Sequence, residues 1–409
     1  MLLARWLPAS ASINAKLLLI TRTLRGFADG AVSVILPSYL IALGFSSLAI
    51  GAIVFGTLFG SALLTLWVGL ARHRFGPRLI LIAASALMFL TGLGFFSASG
   101  FWPLFLIAIV GTMNPSSGDV SVFLPAEQTA LAEAVALRDM TAMFSIYNVG
   151  GGFGGALGAL AAGLPTLISR ALSSDPVAAQ RAVFLGYGLL GLVVATIYLK
   201  MEEAAPARPR TEKTTPLAKS RGVVLRLSAL FSLDSFGGGF VVQSLLALWL
   251  FHRFQLNVQT AGAFFFLAGL LAALSQLASA PIAGRIGRIR TMVYTHIPAN
   301  AFMVLAAFMP GPKSALTFLL MRSAISQMDV PARQSYVMAV VPPEERAAAA
   351  SVTNVPRSLA TAFAPLPAGA LLDRSDFGWP LICAGGLKLI YDLLLLVMFK
   401  SVRPTDEAG

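Results

Sequence analysis

Runs of about 20 apolar residues recur from one end of the chain to the other, broken by Gly, Pro and short charged clusters. A helix of that length crosses the hydrocarbon core of a bilayer. The pattern predicts spans near 15–43, 47–70, 77–98, 102–126, 138–164 and 181–200, then near 224–251, 257–283, 291–309, 313–340, 346–372 and 378–400. That is twelve spans, six in each half of an all-α polytopic membrane protein.

The two halves repeat one another. Leu124-Pro125-Ala126-Glu127-Gln128-Thr129 returns 206 residues later as Val330-Pro331-Ala332-Arg333-Gln334-Ser335, and at the same offset Ser145 and Asn148 return as Ser351 and Asn354. A period of half the chain makes the protein two copies of one unit. The organisation predicted is a six-helix bundle at 1–200, a cytoplasmic linker at 201–222 and a second bundle at 223–409. The linker carries Pro206, Pro209 and Pro216 among charges and builds no core. Both copies of the repeated phrase are expected to end helices on the cytoplasmic side.

Composition agrees with this pattern. Of 409 residues, 57% are hydrophobic and 12% charged, about half the charge of ordinary soluble domains. The net charge of +12 suggests nucleic acid until the positions are considered. The basic residues cluster at Arg72, Arg74 and Arg78, along Lys200 to Arg226, at Arg285, Arg288 and Arg290, and at Lys400 and Arg403. Each cluster follows an even-numbered span, which places both termini and the linker in the cytoplasm. Basicity therefore reports topology, and no nucleic-acid partner is expected. Loops on the outer side, such as 44–46 and 97–101, are too short for an extracellular domain, and a bacterial plasma (inner) membrane is the expected location.

Cys383, the one cysteine, excludes an intramolecular disulfide. The N-terminal stretch around Arg5 and Pro8 is too short in apolar residues for a signal peptide and is read as a lead-in to the first span. His73, His252 and His296 fall in separate loops or spans, and neither a metal-ligand nor a nucleophilic constellation occurs, nor a phosphate-cradling glycine loop. No cofactor and no bound metal are expected, which leaves a membrane enzyme or receptor as a remote alternative.

Gly69-Leu70-Ala71-Arg72-His73-Arg74-Phe75-Gly76-Pro77-Arg78 resembles the loop between the second and third helices of the major facilitator superfamily, with a worn second copy ending Gly284-Arg285-Ile286-Gly287-Arg288. The resemblance covers essentially the whole chain and implies twelve helices in two pseudo-symmetric six-helix bundles around a central cavity. It departs from the family at His73, where an aspartate helps latch the cytoplasmic side. Arg74 and Arg78 keep the basic side of that latch, and Glu127 is expected to face His73 or Arg74, with Arg333 its counterpart in the second half. Gly150, Gly154 and Gly158 share one helix face and let another backbone come close. Their stretch is similar to the fifth-helix motif of drug and proton antiporters, with Gly155 in place of the proline.

Ionisable side chains inside the membrane are functional hypotheses by default. Arg25 and Asp29 lie four apart on one face of the first span, Asp234 and Gln243 lie in the seventh, and Asn114 and Asp119 in the fourth. Arg322 and Asp329 lie in the tenth, Asn354 and Arg357 in the eleventh, and Lys388 and Asp392 in the twelfth. Aligning 24–27 with 233–236 sets Arg25 opposite Asp234. Lys388 with Asp392 reads most simply as a neutralised structural pair, and Glu127, Asp329 and Arg333 as solvated residues near the inner surface. Asp29 is the favoured proton carrier, with Asp119 or Asp234 second. Arg25, Asn114, Gln243, Arg322 and Asn354 are the polar groups expected to meet substrate.

The function expected is secondary active transport by alternating access. Proton-coupled efflux of a small amphipathic compound leads, on the glycine-rich fifth span and the aromatic residues Phe27, Phe236, Phe240 and Trp249. Symport or exchange of a small organic anion is the alternative, on Arg25 and Arg322. The expected partners are the small-molecule substrate and membrane lipids, with the monomer as the functional form.

Overall fold

The computed structural model describes residues 7–8, 10–71, 75–116, 121–136, 139–173, 175–202, 217 and 220–399. Among these, eighteen α-helices and one 3₁₀ turn (Pro343–Glu345) build the protein, and there is no strand. In the first half, the helices are α1 (Ile13–Ala42), α2 (Ser47–Ala71), α3 (Pro77–Ser97), α4 (Phe101–Val110), α5 (Phe123–Glu133), α6 (Met140–Ala161), α7 (Leu164–Leu172) and α8 (Pro176–Leu199). The second half has α9 (Arg221–Gly239), α10 (Gln243–Phe254), α11 (Val258–Leu277), α12 (Ser279–Ile286), α13 (Arg288–Phe308), α14 (Pro312–Ser323), α15 (Asp329–Val340), α16 (Arg346–Phe363), α17 (Pro365–Arg374) and α18 (Trp379–Phe399).

Nine segments among the described residues are single helices or helix pairs long and apolar enough to cross a membrane. The remaining three of the twelve predicted spans are interrupted. The fourth stops at Gly111 and resumes at Phe123, the tenth stops at Ser323 and resumes at Asp329, and the eleventh turns over at Ala364. The repeated phrase explains two of these breaks. Pro125 and Pro331 each stand third in their helix, in the first turn, where a missing N–H costs nothing. The phrase thus opens α5 and α15 rather than ending a helix, and α15 begins 206 residues after α5, as α16 does after α6.

The chain forms two compact units, Met1–Arg208 with Leu256–Phe266, and Pro209–Gln255 with Leu267–Gly409. Leu256–Phe266, expected in the second bundle, belongs with the first unit because α11 starts against α6, where a Cβ on Gly262 would strike the carbonyl oxygen of Ala159.

Both units use the same packing plan. In the first, α1 runs along α6 and α3 along α8; in the second, their counterparts α9 along α16 and α13 along α18. The α1–α6 contact is close enough that a Cβ on Gly154 would meet the carbonyl oxygen of Thr23, and one on Gly158 that of Phe27. Glycines on α1 make the approach mutual, since a Cβ on Gly26 or Gly30 would strike the backbone of Gly151 or Gly155. In the second unit a Cβ on Gly239 of α9 would meet Thr361 O of α16.

Large apolar side chains face outward, among them Val397, Trp102 and Leu277, while Arg25, Glu127 and Asp392 are among the least exposed residues. Apolar exterior with charged interior is the arrangement that lipid, not water, stabilises.

Candidate functional site

The buried charges gather in two networks, one in each unit. In the first, Glu127 of α5 is fully buried and its carboxylate accepts four hydrogen bonds. Oε1 takes the hydroxyls of Thr21 (3.2 Å) and Tyr198 (2.6 Å). Oε2 takes Nη2 of Arg25 and the hydroxyl of Tyr147. The network therefore joins α1, α5, α6 and α8. Arg25 also lies over the ring of Phe123, 4.0 Å from its centroid, and donates to Ser121 Oγ at 3.4 Å.

This arrangement corrects two expectations. Glu127 is not a solvated residue near the inner surface: it is buried, and both its oxygens accept hydrogen bonds inside the bundle. His73 and Arg74 lie outside the described residues, as does Asp119; Gly69 ends α2, and Gly76 caps α3. Arg78 reaches the end of α8, donating to the carbonyl of Leu199 at 2.6 Å. The second correction is that Arg25 does not pair with Asp29, its neighbour one turn on. Its Nη2 donates to Glu127, while its Nε is buried without a hydrogen-bond partner among the described residues.

Asp29 is buried and accepts from the backbone N–H of Asn114. Among the described residues it forms no ion pair within 4.0 Å. Asn114 itself is a turn former in the break of the fourth span. Its Oδ1 accepts from Ser116 N (3.1 Å) and Ser116 Oγ (2.6 Å), a structural use in place of the substrate contact expected.

The second network centres on Asp234 of α9. Lys388 Nζ donates to Oδ1 at 2.6 Å and Arg333 Nη1 to Oδ2 at 3.2 Å. Arg333 also pairs with Asp329 at 3.5 Å, one turn back on α15. His296 of α13 stands between carboxylates, its Nδ1 2.9 Å from Asp392 Oδ1 and its Nε2 3.8 Å from Asp234 Oδ1. Asn300 donates to Asp392 Oδ2 at 3.1 Å. All these groups are buried. Lys388 and Asp392 are thus not a pair with each other, and Arg333 and Asp329 are not solvated gate residues, because side chains on neighbouring helices offer shorter routes to neutralisation than residues on the same helix.

The two networks share one element with its charges exchanged. Arg25 of α1 meets Glu127 of α5, and at the equivalent positions Asp234 of α9 meets Arg333 of α15. The repeated phrase carries one partner of each pair. A buried pair held this way joins the first span of each unit to its fourth.

The other expected substrate groups do not assemble. Gln243 begins α10, Asn354 lies on an exposed face of α16 and Arg322 ends α14; among the described residues no hydrogen bond or ion pair joins them. Arg322 Nε is buried without a hydrogen-bond partner among the described residues. Trp249 and Phe240, expected to line a cavity, are core residues, Trp249 packing edge-on against Phe254 at 5.4 Å. His296 and Asn300 were not singled out from the sequence, although four-residue spacing of two polar side chains in an apolar span marks a common face.

The profile of the Major Facilitator Superfamily matches residues 18–328. The chain belongs to this superfamily. Among its relatives is the uncharacterized membrane protein YJR124C of Saccharomyces cerevisiae, 26% identical over 427 residues that cover 96% of this chain and 95% of the yeast protein. Solved structures of similar fold include the xylose transporter XylE from E. coli, with a TM-score of 0.74 at 17% identity over 97% of this chain and 100% of that one. The nucleoside transporter NupG gives 0.72 at 14% identity, over 95% of this chain and 99% of that one. A bacterial homolog of the human lysosomal transporter Spinster gives 0.69 at 16% identity, over 94% of each chain. This superfamily member is therefore an integral, multi-pass membrane transporter of small molecules with the twelve-helix fold, and not an enzyme.

Proposed function

We propose that the protein is a proton-coupled secondary transporter that exports a small amphipathic organic compound, with both termini in the cytoplasm. The observation that carries the coupling is Asp29: a buried carboxylate on the first span with no counter-ion within 4.0 Å among the described residues. An isolated charge in a low-dielectric interior is costly, whereas the same group with a proton is tolerated. Asp29 is thus suited to take up and give back one proton as its surroundings alternate between wet and dry. Asp234, by contrast, is held by two cations at 2.6 and 3.2 Å and is the weaker candidate. The basic clusters after even-numbered spans support the topology.

The second reading, symport or exchange of a small organic anion, is favoured by Arg322, whose Nε lacks a partner among the described residues. Vesicles containing the purified protein, under an imposed pH gradient, separate the two. Movement of tetraphenylphosphonium that follows the gradient and is lost in Asp29→Asn is the expected result. Movement of a monocarboxylate that is lost in Arg322→Ala instead establishes the second reading. Full gradient-driven transport by Asp29→Asn overturns the role of Asp29.

A further inference from the structure

The second unit holds a feature that the Asp29 mechanism does not use: a histidine in the membrane interior with a carboxylate oxygen at each ring nitrogen. A neutral imidazole donates from one nitrogen and accepts at the other, while an imidazolium donates from both. Asp392 at 2.9 Å from Nδ1 and Asp234 at 3.8 Å from Nε2 present acceptors on both sides, a setting complementary to the doubly protonated ring.

The charges surrounding the ring point the same way. Asp234 comes from α9, Lys388 and Asp392 from α18, and Arg333 and Asp329 from α15, all linked by ion pairs of 4.0 Å or less. Among the described residues, Asp392 and Asp234 are the two acids that face the imidazole, one on each side of the ring. Arg322 of α14 acts on Asp234 without reaching ion-pair distance. Asn300, on α13 itself, donates to Asp392 Oδ2 and so fixes the carboxylate that faces the ring; its amide nitrogen also lies 3.3 Å from Nδ1. Tyr391 lies edge-on to His296 with centroids 6.0 Å apart, and its buried hydroxyl has no hydrogen-bond partner among the described residues.

We infer that His296, set between Asp392 and Asp234, is a second proton-binding site of the transporter, seated wholly within the second unit. A proton bound at the imidazole draws both carboxylates towards the ring, and its loss removes that attraction. The part this site plays in transport rests on the proton-coupled reading; its existence does not.

The chain has three histidines, which makes a direct test simple. The full-length protein carrying His73→Gln and His252→Gln, labelled with 15N-histidine and held in lipid nanodiscs, has His296 as its one labelled ring. The expected result is a change of the ring nitrogen shifts between neutral and doubly protonated values within about pH 5 to 9. That change should move to lower pH when Asp392 is replaced by Asn, or Asp234 by Asn where the first variant folds poorly, because a facing carboxylate favours the charged ring. A ring that keeps one protonation state over the whole range, or a midpoint indifferent to both carboxylate variants, overturns the proposal. The titration needs no substrate, so its failure and a failure of Asp29→Asn to uncouple transport are separate results.

Discussion

Arg25 and Glu127 show how a residue's partner can differ from its neighbour. On α1, Asp29 lies four residues from Arg25, the spacing at which helix charges usually meet, yet the guanidinium reaches across to α5. Lys388 likewise passes over Asp392 to reach Asp234. Asp329 and Arg333 do meet at that spacing, but Arg333 also reaches Asp234. Removing one member of a buried pair leaves the other unpaired, so Arg25→Met and Glu127→Gln should each lower stability by about 3–5 kcal/mol. The double variant should cost clearly less than the sum, which thermal unfolding of the four proteins in one detergent will measure. Tyr198→Phe removes one neutral donor to the same carboxylate and should cost about 1.5–3 kcal/mol in that assay. Which residues would be charged and deep was legible in the sequence; which of them would touch was not, because partners such as His296 and Asp392 lie 96 residues apart and only helix packing brings them together.

At the scale of the helices, apolar length predicted where the chain crosses the membrane, and the glycine spacing in α6 predicted a face of close approach. Both are seen. Pro115 marks a break in the fourth span, and α4 ends just before it at Val110, whereas the break in the tenth span, at 324–328, contains no proline to announce it. Placing α5 and α15 as separate helices is what turns Glu127 and Arg333 inward. The partner face on α1, Gly26 and Gly30, has the same four-residue spacing as Gly154 and Gly158 and passed unnoticed. Gly158→Ala should destabilise the protein by about 1–3 kcal/mol, since its Cβ meets the carbonyl oxygen of Phe27. Gly152→Ala, on the same helix with nothing within 4 Å, should be neutral or more stable by up to about 1 kcal/mol. Thermal melts of the two variants side by side separate packing from helix propensity.

For the whole molecule, duplication explains more than architecture. Each unit pairs its first span with its fourth through one buried ion pair, and the signs are exchanged between them. In the first unit Arg25 pairs with Glu127, and Asp29 has no ion pair within 4.0 Å among the described residues; in the second, Asp234 meets two cations and a histidine. Proton chemistry in both units, on unlike groups, is what that asymmetry offers a transporter. The central claim, that transport is driven by protons and that Asp29 carries them, is tested most directly by recording proton movement itself. Vesicles containing the purified protein and a trapped pH-sensitive dye are challenged with tetraphenylphosphonium. The account predicts a substrate-evoked pH change in the wild type that is absent in Asp29→Asn, while that variant still exchanges labelled for unlabelled substrate. A proton movement of wild-type size in Asp29→Asn would contradict it.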